Sequence, residues 1–231
     1  MVAGICLGLF ASGPARALAA LDEHPSSIAA MVAGAEARPS AMPKPNLADF
    51  LGEPASNDAR QVADWVVNTG DNRSLPFVVV DKKATKVFVF DAHGHLLGAT
   101  PALLGLARGD DSVPGIGDRK LSDIRPEERT TAAGRFVAAL GHSLGPQDVL
   151  WVDYPSGLAL HRVLAKNTKE ARLQRLAAAS PLDHRITFGC INVPANFFDS
   201  VVDPAFTGTN GIVYILPEIK SIRDVFSESI S

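Results

Sequence analysis

One thiol and three imidazoles are the side chains of this sequence best suited to covalent chemistry. Cys190 lies in the stretch RITFGCINVP, Arg185 to Pro194, preceded by Gly189 and followed two positions on by Asn192. A cysteine with no disulfide partner is either a small buried hydrophobe or a reactive thiol. As a nucleophile it needs a base, because an unperturbed thiol titrates at about 8.5 and is mostly protonated at neutral pH. His142, His161 and His184 are the candidates. His142 ends an apolar run in the glycine-flanked turn GHSLG, and His184 follows Asp183 in a loop after Pro181, where an exposed position is expected. His161 interrupts the apolar strand LALHRV, where an imidazole must have a polar partner. That partner could be the thiol, or His161 could be a satisfied core histidine. His93 and His95 share the turn AHGH with no third ligand nearby, so neither a metal nor a cofactor is expected.

The elements that must hold these groups are mostly strands. After Pro76 the chain reads FVVVD, KVFVF and HLLGAT, then FVAAL, Val149 to Val152, Leu158 to Val163 and, near the end, IVYIL from Ile212 to Leu216. Asn57 to Asn68 reads as a helix capped at Asn57, with Val62, Trp65 and Val66 on its apolar face and Gly70 at its end. A second short helix is expected over Ala195 to Val202. The polar stretch from Gly105 to Arg129 is too long for a simple turn and is expected to border the site. The strongest helix expected is Lys166 to Ala179: Asn167 and Glu170 have capping-box spacing, and Leu173, Leu176 and Ala177 fall on one face.

The chain has 231 residues, enough for one domain with extra segments, and 46% of them are hydrophobic. A net charge of -3 and the absence of any Lys/Arg-rich block argue against nucleic acid as a partner. Residues 1–19 read as a secretory signal: the run VAGICLGLF is too short to span a bilayer and is followed by Ala17-Leu18-Ala19, although a basic n-region is missing. Cys6 would leave with it, making Cys190 the only cysteine of an exported protein with no stable membrane insertion. Residues 20–56, rich in Ala, Pro and Ser, read as a linker, and 57–231 as one domain with its core at about 76–217.

The ALHRV strand with His161, followed by TFGCIN, resembles the catalytic domain of the L,D-transpeptidases (YkuD-type). Thr187, Gly189, Cys190 and Asn192 fall on that family's Ser/Thr-His-Gly-Cys-x-Asn/Arg pattern, and TAAGRF, Thr131 to Phe136, is similar to its TPxGxF segment. Two features depart from it. Phe188 stands where histidine is frequent, and 29 positions separate His161 from Cys190, a long interval filled by the 166–179 segment. The resemblance implies a β-rich α+β fold, a mixed sandwich or barrel-like sheet with a few peripheral helices. It also implies a periplasmic or wall-facing enzyme in which Cys190, deprotonated by His161, attacks a peptidoglycan tetrapeptide stem, forms a thioester and passes the acyl group to an amine. The Arg162 carbonyl would hold the tautomer of His161, and the N–H groups of Gly189 and Cys190 would form the oxyanion hole. Asn192 would orient the loop, while Arg185 and Thr187 are candidates for substrate binding. The 166–179 helix would overhang the cleft and offer Lys169, Arg172 and Arg175 to anionic stems. The rival readings are an L,D-carboxypeptidase or endopeptidase, in which water resolves the thioester, and an inactive wall-binding module.

Overall fold

A computed structural model describes residues 46–143, 147–165 and 167–226. The signal segment, Cys6 and the linker up to residue 45 lie outside the described residues.

The strands are β1 (Phe77–Asp81), β2 (Lys86–Phe90), β3 (Leu96–Pro101), β4 (Leu104–Gly105), β5 (Gly134–His142), β6 (Asp148–Asp153), β7 (Leu158–Arg162), β8 (Arg185–Thr187), β9 (Ile191–Val193) and β10 (Gly211–Ile215). Eight of them form one mixed sheet in the order β3-β2-β1-β10-β5-β6-β7-β9, while β4 and β8 pair separately. The β1–β10 and β7–β9 pairs are parallel and the other neighbours in the large sheet are antiparallel. Two residues beyond β3, Leu103 exchanges two hydrogen bonds with Asn192 of β9, its N–H donating at 2.8 Å and its carbonyl accepting at 2.9 Å. This bridge ties the chain leaving one edge strand to the other edge strand, so the sheet nearly closes into a barrel. The fold class is the expected one, β-rich with few helices.

The alternation of side chains along each strand builds two cores. Val78, Val80, Leu150, Leu160, Ile191 and Val213 point to one face and form the larger core with the helical stretch 195–206. Phe77, Val79, Phe88, Phe90 and Tyr214 point to the other, where helix α1 (Asn57–Thr69) covers them with Ala59, Val62, Ala63 and Val66. Covered on both faces, β1 is buried along its whole length, which is why it reads as an unbroken apolar run. The α1 cap is Ser56 rather than Asn57: the Ser56 hydroxyl accepts from Ala59 N at 3.1 Å, and Gly70, at φ +69°, closes the helix. Residues 46–56, placed by composition at the end of the linker, are instead packed on the domain. Phe50 is buried edge-on against Phe88 and Phe90, and Asp49 bridges to His95.

The helix expected over 166–179 is broken. A 3-10 turn, Thr168–Glu170, and a short helix α2 (Arg172–Leu176) are separated by Ala171 in the left-handed region at φ +47°. The proposed apolar stripe does not dock, since Leu176 is buried but Leu173 and Ala177 are exposed. Among the described residues no helix is long and apolar enough to cross a membrane, and no group of three His, Cys, Asp or Glu could hold a metal ion.

Candidate active site

Two short strands, β8 and β9, hold the turn Phe188-Gly189-Cys190. The Thr187 hydroxyl braces it by donating to the Cys190 carbonyl at 2.7 Å and accepting from Gly189 N at 3.2 Å. Gly189 has φ +134°, and a Cβ there would stand 2.8 Å from the Thr130 carbonyl, so both backbone conformation and space demand glycine. The Gly189 carbonyl accepts from Thr131 Oγ1 at 2.7 Å, and that hydroxyl accepts from Gly105 N at 2.9 Å. The TAAGRF segment thus anchors the Cys190 turn through its first threonine. Thr187 is 3% exposed and committed to the turn, which removes it as a substrate contact, and Gly189 N–H is engaged by Thr187 rather than open to an oxyanion.

The candidate base His161 lies on β7, and the candidate nucleophile Cys190 immediately precedes β9, which runs parallel to it. Register pairs Leu160 with Ile191 and His161 with Asn192, so Ala159 lies beside Cys190, and Ala159, His161, Cys190 and Asn192 share the face opposite Leu160 and Ile191. Asn192, not Cys190, is therefore directly across from His161. His161 Nδ1 donates to the Arg162 carbonyl at 2.8 Å, and Nε2 accepts from Asn192 Nδ2 at 3.1 Å. Asn192 Oδ1 accepts from Arg172 Nη1 at 2.7 Å, and Arg172 Nε lies 2.5 Å from Glu170 Oε2. Cys190 Sγ faces the Gly157 carbonyl at 3.4 Å. Burial lowers the His161 pKa and the nearby Arg172 cation lowers it further, against the hydrogen bond to Arg162. Burial likewise raises the Cys190 thiol, opposed by the Ala159 N–H and the Arg172 charge. Both shifts favour the neutral forms, thiol and imidazole.

Cys190 opens into a small cleft between the β6–β7 turn, at Ser156 and Gly157, and the long segment after β4, at Ser112, Ile116 and Thr130. That segment folds into three 3-10 turns, Ile116–Asp118, Leu121–Asp123 and Pro126–Glu128, and does border the site. A Cβ at Gly117 would fall 2.2 Å from the Pro155 carbonyl, so this glycine lets the two walls meet. Phe188 lines the cleft with the Arg129 guanidinium 3.9 Å above its ring, filling the place where the resemblance would put a histidine.

Other candidate residues sit elsewhere. Arg185 is 8% exposed and pairs with buried Glu218 at 2.6 Å while donating to the Lys82 carbonyl at 2.9 Å, so it is structural and not placed to grip a substrate carboxylate. His184, expected on an exposed rim, is buried: its Nδ1 lies 2.9 Å from Thr85 Oγ1 and its Nε2 3.1 Å from the Ala178 carbonyl. His142 is exposed beside Asp148. The Arg162 side chain reaches Asp199 at 2.7 Å and lies over the Phe198 ring, leaving only its carbonyl to the imidazole. Arg175 donates to the Glu170 and Asp183 carbonyls, so neither it nor Arg172 forms a free basic face.

Sequence reasoning missed the buried charges beneath the turn. Lys82, fully buried, donates to Asp110 at 2.8 Å and to the Thr131 carbonyl at 2.8 Å. Asp110 in turn accepts from the backbone of Glu218, Ile219 and Lys220. Nothing in the local pattern marks Lys82, which follows a strand as an ordinary surface lysine would.

No family model and no curated protein matches the chain. Solved structures do. The chain is similar to the LD transpeptidase LdtMt1 in complex with imipenem, at 17% identity and a TM-score of 0.35, over 61% of this chain and 58% of that one. An L,D-transpeptidase from Xylanimonas cellulosilytica aligns at 14% identity and a TM-score of 0.37, covering 61% of this chain and 60% of that one. The helical cell shape determining protein Pgp2 from Campylobacter jejuni aligns at 16% identity and a TM-score of 0.41, covering 68% and 55%. The matched region therefore spans less than two thirds of each of these chains.

Proposed function

We propose that this protein is an exported cysteine acyltransferase of the L,D-transpeptidase type, acting on peptidoglycan stem peptides. The observation that carries the reading is the placement of Cys190 and His161 on one face of β7 and β9, with the imidazole hydrogen-bonded through Nδ1–H to the Arg162 carbonyl and a lone pair on Nε2. A neutral imidazole in that tautomer is what a general base for a thiol requires.

The reaction begins with Sγ attacking the carbonyl of the third stem residue while its proton passes to His161 Nε2. The tetrahedral oxyanion is assigned to the Cys190 N–H, since Gly189 N–H bonds Thr187. Nε2–H then protonates the departing amine of terminal D-Ala as the C–N bond breaks, leaving a Cys190 thioester and neutral His161. An acceptor amine attacks the thioester, gives its proton to Nε2 and expels the thiolate, which takes that proton back. The thiol's original proton leaves with D-Ala and the acceptor amine's proton replaces it, so Cys190 and His161 are regenerated.

The test is mass spectrometry of a purified tetrapeptide stem incubated with protein, with and without an amine acceptor. Release of D-Ala together with a cross-linked dimer supports the transferase, whereas D-Ala release without dimer makes it an L,D-carboxypeptidase. No release, together with no Cys190 adduct from a carbapenem, leaves a wall-binding module. Cys190→Ser is the control for every arm.

A further inference from the structure

We propose that Arg172 is a positioning residue for the base: by donating to Asn192 Oδ1 it decides which end of that amide meets His161, and so fixes the imidazole tautomer. The inference rests on the reading of His161 as the general base.

The argument is one of donors and acceptors. A guanidinium can only donate, so the end of Asn192 that faces Arg172 Nη1 at 2.7 Å must be the oxygen. Nδ2 then faces His161 Nε2 at 3.1 Å and can only donate, which requires a lone pair there. The proton is left on Nδ1, where the Arg162 carbonyl accepts it at 2.8 Å. Turning the amide over would set donor against donor at Arg172. It would also need a proton on Nε2, leaving Nδ1 as an acceptor against a carbonyl. Three hydrogen bonds thus share one polarity, fixed at one end by the acceptor-only Arg162 carbonyl and at the other by the donor-only cation.

The latch is built by the break in the expected helix. Residues two apart do not face each other on a regular helix, but the left-handed Ala171 between them brings Glu170 Oε2 onto Arg172 Nε. Arg175 pins the same segment by donating to the Glu170 and Asp183 carbonyls at 3.0 and 2.8 Å. The Arg172 side chain is only 14% exposed, and Asn192 is 1% exposed, so the guanidinium is held against the site rather than solvated. The groups that meet the imidazole are Asn192 from β9 and the Arg162 carbonyl on its own strand, with the Arg172 cation of the inserted segment behind Asn192.

The experiment is 15N NMR of the full chain labelled in histidine, with His161 assigned by comparison with His161→Gln. Wild type should show protonated Nδ1 and unprotonated Nε2. In Arg172→Met the amide is free to turn, and the population carrying the proton on Nε2 should rise about tenfold, the loss of one charge-assisted hydrogen bond's preference. Arg172→Lys, also donor-only, should restore the wild-type ratio. Glu170→Gln, which loosens the guanidinium without removing it, should shift the ratio the same way by less, and decides the matter if the Met variant does not fold. An unchanged ratio in Arg172→Met, or in Glu170→Gln should that be the only folded variant, overturns the proposal, as does a wild type that carries the proton on Nε2. Because this readout needs no turnover, a wild-type protein with the expected tautomer but no D-Ala release refutes the function and leaves the latch standing.

Discussion

Replacing Thr131 by valine should loosen the nucleophile turn without touching the thiol. The Thr131 side chain is fully buried, and its hydroxyl both accepts from Gly105 N at 2.9 Å and donates to the Gly189 carbonyl at 2.7 Å. Valine has nearly the same shape but neither function, so Thr131→Val leaves two buried backbone groups without these bonds. At roughly 1–3 kcal/mol for each orphaned group, less about 0.8 kcal/mol for the extra apolar carbon, the net cost is about 1–5 kcal/mol. Thr131→Ser keeps the hydroxyl and loses one methyl, costing about 1 kcal/mol. Urea unfolding should therefore rank wild type above Ser above Val, with unchanged denaturant slopes. Cys190 acylation should fall by about 100-fold in Val, the penalty of a displacement near 1 Å at a reacting centre, and little in Ser. A valine variant within 0.5 kcal/mol of serine, acylating at the same rate, would refute the role of the hydroxyl.

Alkylation of Cys190 by iodoacetamide should show a pH midpoint above that of a free thiol, because burial raises the thiol against the pull of Ala159 N–H and Arg172. A midpoint well below 8, as a preformed thiolate–imidazolium pair would give, contradicts the resting state described here. The rate of Cys190 acylation should hold down to pH values below the ordinary imidazole range and then fall, since burial keeps His161 neutral there; an acid limb displaced upward would be the contrary result. Asp110 works against its burial through the backbone N–H of Lys220 and the Lys82 ammonium, which bring its pKa to about 2. Depressed in the fold, it contributes stability that is fully present above about pH 4 and lost as pH falls toward 2, on the order of 2 kcal/mol. Asp110→Asn should flatten that part of the stability profile. Gly189→Ala should abolish acylation, because its Cβ would meet the Thr130 carbonyl at 2.8 Å in a conformation that alanine avoids; a folded alanine variant with wild-type acylation would show that the turn tolerates rearrangement.

What could be read from the sequence follows from how local each cause is. The runs FVVVD, KVFVF and IVYIL become β1, β2 and β10 because both faces of those strands are covered, which leaves a continuous apolar signature. β8 and β9 are three residues each, and their pairing is decided by partners far away in the chain, so no periodicity marks them. The 166–179 segment failed for a different reason. Its helix propensity is real, but Arg172 and Arg175 are drawn to Asn192 and to the Asp183 carbonyl, and the left-handed Ala171 is the conformation that allows both. At the site, Cys190 and His161 were singled out by their likeness to a family pattern, and the fold sets them on neighbouring elements, whereas Arg185 was misread. Its fate depends on Glu218, 33 positions on, and a buried ion pair leaves no trace around either residue.

The register also constrains how the site can fire. Because Asn192 stands across from His161, the Nε2 lone pair is engaged by an amide while the thiol faces the Gly157 carbonyl. Neither group activates the other in this arrangement, and burial penalises the ion pair that would form if one did. Proton transfer from Cys190 to His161 therefore requires Nε2 to give up the Asn192 donor. The imidazolium that results carries a proton toward an amide that Arg172 holds with its donor end forward, a geometry that favours handing the proton on rather than keeping it. A leaving amine is the natural recipient. Under the proposed function, the contact that holds His161 at rest would also favour passing its proton to that amine, and Arg172 ties the segment that breaks the expected helix to Asn192.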